Sequence, residues 1–347
     1  MSKRSAFEIA GTTVPAGSRK TVEIPVSKLS DHTPVTLSAH VIHGKTDGPC
    51  VFVSAGIHGD EVIGVEIVRR LLRSKNLKSL RGTLIVVPIV NTFGFLNHSR
   101  YLPDRRDLNR CFPGSPNGSL GSRLAHIFLT EIVARCSIGI DLHSAAINRI
   151  NLPQVRVSAN NRATLGLAKV FGAPVILTSA LRDGSLRQAS KEIGVDVLLY
   201  EAGEGMRFDE MSVRAGVAGI LRVLKKIEML PKAGIAEAKV APLLCADSHW
   251  VRAPSGGLLR IYKAEGDVVG EGDIVAAISD PFGEEEIEVT TRYAGIIVGR
   301  AVMPIVHEGD ALFHVADVKS GDLAEAAVDG LATQLEEAAL FDEDEII

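Results

Sequence analysis

Cysteine is scarce in this 347-residue chain: there are four, far apart, and no two form a CxxC pair. Neither a disulfide framework nor a cysteine-rich metal site is expected, and buried free thiols are the simplest reading of Cys50, Cys111, Cys136 and Cys245. Apolar runs are short as well. None approaches the roughly eighteen residues a membrane-spanning helix needs, and the basic start MSKR is followed by no sustained apolar stretch of the secretory type. A run of five or more basic residues is also missing, and the net charge is -4, so neither nucleic acid nor an anionic membrane is expected as a partner. Apolar residues make up 46% and charged residues 23% of the chain, a globular rather than a disordered composition. The expectation is a cytoplasmic protein.

What is present is alternation. After short strands and turns in residues 1–48, CVFVSAG (50–56) is a continuous apolar run of the kind buried on both faces of a sheet. EVIGVEIVRRLLRS follows with Val65, Val68 and Leu72 at helical spacing. GTLIVVPIV, SIGIDLH, QVRVSA, PVILTSA and VDVLLYE read as further strands, with helical segments between them and a long helix at 212–230. This pattern predicts an α/β sandwich around a parallel or mixed sheet over residues 1–231. Past Pro231 the style changes. Residues 239–316 hold short β-like runs broken by glycine, which predicts a smaller all-β module. Residues 317–347 are acidic and suggest a helix with a frayed tail.

The chemistry gathers at strand ends. In SAGIHGDEVIG an apolar strand stops at Gly56, a turn carries His58, and Glu61 opens the next helix. SIGIDLHSA places His143 at the end of a different strand, two residues after Asp141, which suits a carboxylate orienting that imidazole. Ligand sites in open α/β sheets lie beyond the carboxyl ends of strands. Two histidines and one glutamate are the donor set of a catalytic zinc with one position open. Either segment alone reads equally well as a helix start with dipole-matching carboxylates or as a hydrogen-bonded histidine. The long polar stretch 91–119 carries Arg100, Arg105, Arg106, Asn109 and Arg110, and guanidinium forks suit carboxylates. Glu201 ends a buried strand in YEAGEG, where a carboxylate is costly unless paired or working.

HGDE, DLNR with FPG, DLHS and YEAGE occur here in the order and approximate spacing of the succinylglutamate desuccinylase/aspartoacylase family, and residues 45–230 resemble it directly. The resemblance implies a zinc-carboxypeptidase-like mixed sheet flanked by helices, followed by a barrel-like C-terminal module. It implies one Zn(2+) per subunit on His58, Glu61 and His143, with Glu201 as general base. It further implies Asn109 and Arg110 holding a substrate carboxylate and Arg100 polarising the scissile carbonyl. The stretch between RY and DLNR is longer than in the aspartoacylase type, which leaves Arg106 as an alternative for that last role. The expected activity is hydrolysis of the amide of a small N-acyl amino acid, with homo-oligomerisation open. A carboxypeptidase-type peptidase and a non-catalytic binding protein are the rivals. The AEGDVVGEGDIVAAI segment also resembles a biotinyl/lipoyl-type barrel, but SDPFGEEEIEV after it offers no lysine for a carrier.

Overall fold

The computed structural model of the chain describes residues 4–337. Four parallel strands form its centre, in the spatial order Asp196–Glu204, Ile138–His143, Cys50–Ala55 and Thr83–Val87. Cys50–Ala55 and Thr83–Val87 are buried along almost their whole length. This is why they read as unbroken apolar runs rather than alternating ones. On one side the sheet continues antiparallel through Pro34–His43 and Ser18–Lys28. On the other it continues through Arg149–Val157.

Helices cover both faces. Ile63–Arg73, Arg162–Phe171 and Glu210–Lys226 enclose one core with Ile67, Phe171 and Ile220. Leu120–Glu131 and Leu186–Glu192 enclose the other, in which Phe52 meets Phe128 edge-on at 5.9 Å. Gly139 is needed beneath that pair, because a Cβ there would lie 2.1 Å from the Phe52 ring. The expected mixed sheet flanked by helices is therefore the observed architecture.

The strands beyond residue 239 divide in two. Gly257–Ile261, Ile274–Ser279, Glu286–Thr290 and Ile305–Val306 form their own four-stranded sheet. Ser248–Arg252, Ala311–Ala316 and Gly295–Ala301 instead extend the central sheet, through pairing of Gly299 with Asn151. Arg149–Val157 pairs along its second half with Val175–Thr178, and Gly295–Ala301 pairs with the first half, whose backbone groups would otherwise be unpaired. A helix spans Gly321–Glu337, and the rest of the expected acidic tail lies outside the described residues. Among the described residues no helix is long and apolar enough to cross a membrane.

The cysteines differ from expectation. Cys136 and Cys245 are buried, but Cys50 and Cys111 are only partly so. Cys50 and Cys136, 86 positions apart, meet with their Sγ atoms 3.4 Å apart because Cys136 leads into the strand Ile138–His143, the neighbour of the strand that Cys50 starts.

Candidate active site

Register brings the expected residues together. Glu201 pairs with His143 across two parallel strands, and Ser54 pairs with Asp141 on the next. After Ala55 the chain turns at Gly56, whose φ of +64° favours glycine, and reaches His58 and Glu61. Gly59 packs against the backbone of the short helix Thr92–Leu96, where a Cβ would fall 1.9 Å from the carbonyl carbon of Gly94. Gly59→Ala is therefore expected to displace the His58 turn, destabilising the fold by about 1–3 kcal/mol and weakening metal retention. Thermal melts and metal content after dialysis check both effects.

His58, Glu61 and His143 converge, with one donor atom from each lying within 4.8 Å of the others. The Nδ1 atoms of both histidines lie 2.7 Å from Glu61, one at each carboxylate oxygen. Their Nε2 atoms face carboxylates as well: Asp107 at 3.1 Å from His58 and Asp141 at 2.8 Å from His143. Asp141 is fixed in turn by the Ser54 hydroxyl, which donates to it at 2.7 Å. The Ser144 N–H and the Arg100 guanidinium also donate to Glu61, at 3.2 Å each.

A carboxylate can only accept, so imidazoles flanked by carboxylates on both nitrogens hold their protons. Burial opposes charge on His58 and His143, but the surrounding carboxylates outweigh it and raise both pKa values. Burial likewise works against the Glu61 anion, yet the two histidines hold its carboxyl far below the usual range. This donor set fits a divalent cation. Two nitrogens and a carboxylate already point at one another, and each imidazole is oriented from behind by an acid.

The other expected residues fall around this cluster. Arg100 also donates to Asp107 at 3.0 Å and reaches the cavity wall. Arg106 does not reach it: its side chain is 60% exposed and pairs loosely with Asp104 at 3.7 Å. Asn109 and Arg110 both line the cavity, although the Asn109 side-chain oxygen already accepts the Leu186 N–H at 2.9 Å. Glu201 lines the same cavity, with Oε2 accepting from Asn151 at 2.9 Å and Oε1 3.5 Å from Arg156. The cavity has a volume of about 270 Å³.

Residues 47–227 match the succinylglutamate desuccinylase/aspartoacylase catalytic domain. The chain belongs to that family. Membership makes it an enzyme, a hydrolase of amide C–N bonds. It is similar to the N-alpha-acetyl-L-2,4-diaminobutyric acid deacetylase of Halomonas elongata, at 25% identity over 86% of this chain and 90% of that one. Among solved structures it resembles a succinylglutamate desuccinylase/aspartoacylase from Rhodobacter sphaeroides, at 25% identity and a TM-score of 0.77, covering 91% and 97% of the two chains. A product-bound ectoine utilization protein from Ruegeria pomeroyi shares the fold at 24% identity and a TM-score of 0.78, covering 90% and 96%.

Several residues around this family member's cavity carry no signal in the sequence. Asp107, which holds His58, sits inside DLNR and was legible only as part of that motif. Asn151 and Arg156 lie in a strand that reads as ordinary alternation. Arg187 lines the cavity too, and burial with the neighbouring Arg156 pushes its pKa down to about 10. Trp250 and Arg300 come from the C-terminal strands, beyond the matched residues.

Proposed function

We propose that this chain is a zinc-dependent deacylase hydrolysing the amide bond of an N-acyl amino acid or a related small carboxylate-bearing amide. The observation that carries the reading is that a metal-binding donor set and Glu201, which lies at a bulge within its strand rather than at the expected strand end, open onto one arginine-rich cavity. The similarity to a deacetylase of an N-acetylated amino acid supports the same substrate class.

His58, Glu61 and His143 would hold the ion, with Asp107 and Asp141 orienting the imidazoles. A zinc ion there supplies Lewis acidity, lowering the pKa of a water and polarising a carbonyl. Glu201 accepts the proton of the attacking water and later delivers it to the leaving amine. The contacts from Asn151 and Arg156 keep its carboxylate in place for both transfers. Arg100 donates to the oxyanion that forms, a role worth about 3–4 kcal/mol for a single donor. Asn109 and Arg110 hold the substrate carboxylate, so that attack proceeds from a fixed geometry. Residues 1–231 form the catalytic domain in this reading, and 239–316 a barrel-like module that completes the cavity wall.

Arg110→Ala is expected to raise KM for carboxylate-bearing substrates about tenfold or more, the loss of one charge-assisted contact, with kcat little changed. Steady-state kinetics on an N-acyl amino acid and on its amide check this. An equal KM increase for both would remove Arg110 from carboxylate binding.

A further inference from the structure

Seven arginines and three carboxylates line the cavity. Two of the carboxylates, Glu61 and Asp141, are already bound to histidines, and the third, Glu201, is held by Asn151 and Arg156. Arg100, Arg156 and Arg300 pair with carboxylates, but among the described residues Arg149, Arg182 and Arg187 meet none, and one substrate carboxylate on Asn109 and Arg110 leaves them without a counter-charge. Buried or half-buried cations without counter-charge are costly, so the cavity is built for a ligand carrying more than one negative group.

Arg149 is the arginine placed for the second group. Among the described residues its guanidinium meets no carboxylate, and it sits over the Trp250 ring, 5.5 Å from the centroid. Trp250 is itself fixed. It pairs with His314 across adjacent antiparallel strands, and the two rings stack at 4.5 Å with 7° between their planes. The His314 Nε2 atom and the Ser248 hydroxyl lie 2.8 Å apart, which fixes the imidazole in turn. Burial pushes the His314 pKa down to about 3, so the ring facing Trp250 is neutral and does not repel Arg149.

The same row of the sheet runs from Trp250 through His314 and Gly299 to Asn151. Gly299 leaves room there, because a Cβ would lie 2.6 Å from the Asn151 side-chain oxygen. Arg149 and Asn151 stand two apart on one strand and so share a face. A guanidinium held by Trp250 is thus presented beside the residue that holds Glu201.

We infer that Arg149, positioned by Trp250 of the C-terminal strands, forms a second anion subsite that selects substrates bearing an additional negative group. The inference rests on the deacylase reading for the identity of the substrate, but not for the existence of the subsite. Arg149 touches the ligand, whereas Trp250 acts through Arg149 as a positioning residue.

The test is calorimetric titration of the purified protein with glutarate and with glutaramate, its monoamide, which differ in one charge. Wild-type protein should bind glutarate about tenfold more tightly, the scale of one hydrogen bond to a charged group. Arg149→Met should lose that preference while binding glutaramate unchanged. Trp250→Phe, which keeps an aromatic face, should retain the preference, and Trp250→Leu should lose it. Trp250 is the sole tryptophan, so its emission should also respond to glutarate in the wild type and not in Arg149→Met. Equal binding of the two ligands by wild type, or an equal loss of both in Arg149→Met, would overturn the subsite. A glutarate preference in a protein that hydrolyses no N-acyl amino acid would leave the subsite standing and remove the deacylase reading instead.

Discussion

Replacing Glu201 by glutamine should leave metal content unchanged and lower kcat by about 10²–10⁴-fold, the usual scale of general acid–base catalysis. The substitution keeps the shape of the side chain and its contact with Asn151, while removing the ability to take a proton. Among the described residues the side chain of Glu201 accepts a hydrogen bond from Asn151 and forms an ion pair with Arg156 at 3.5 Å, and has no hydrogen bond or ion pair to His58, Glu61 or His143. A loss of turnover at constant metal stoichiometry therefore isolates proton transfer from metal binding. Near-wild-type kcat would remove Glu201 from the base role.

His143→Ala should lose its metal on dialysis and should also destabilise the metal-free protein, by about 3–5 kcal/mol, the cost of removing one partner from a buried charged pair. Glu61 and Asp141 are 2% and 1% exposed, and both lean on this imidazole. Metal analysis and thermal melts read the two effects, and retention of stoichiometric zinc would remove His143 from the donor set. The pH dependence has a definite sign. The raised histidine values add stability that is complete below the ordinary value of 6.5 and is lost as pH climbs through the raised ones. The depressed Glu61 value adds stability that is complete above the ordinary 4.5 and is lost as pH falls toward the lowered one. The metal-free cluster thus contributes most between those two ordinary values. Zinc must displace the histidine protons, so the rise in Tm on adding zinc should grow as pH increases above that window.

The donor set was legible because His143 ends one apolar run and His58 and Glu61 lie in the short turn after another, and strand ends are where an α/β sheet opens a site. The alternation of buried strands and helices made the sandwich legible for the same reason: burial on both faces leaves an unbroken apolar signature. What joins distant segments was not legible. The choice of Arg100 over Arg106 depends on how the 91–110 loop folds back onto Glu61, which residue spacing does not encode. Asn151 and Arg156 lie on a strand whose neighbours are fixed only by pairing. The extension of the central sheet into the C-terminal strands depends on Gly299 meeting Asn151, and Trp250 enters the cavity only through it. Cys50 and Cys136 looked unrelated because their closeness is a matter of strand order.

The most direct measurement is hydrolysis of a panel of acetyl-, succinyl- and formyl-amino acids beside short peptides, using protein stripped of metal and then reloaded to a measured zinc content. The account predicts that the stripped protein is inactive and that activity on at least one N-acyl amino acid returns in step with zinc, reaching its plateau at one ion per chain. Activity that is indifferent to the metal, or cleavage of peptides with no turnover of any N-acyl amino acid, would contradict it.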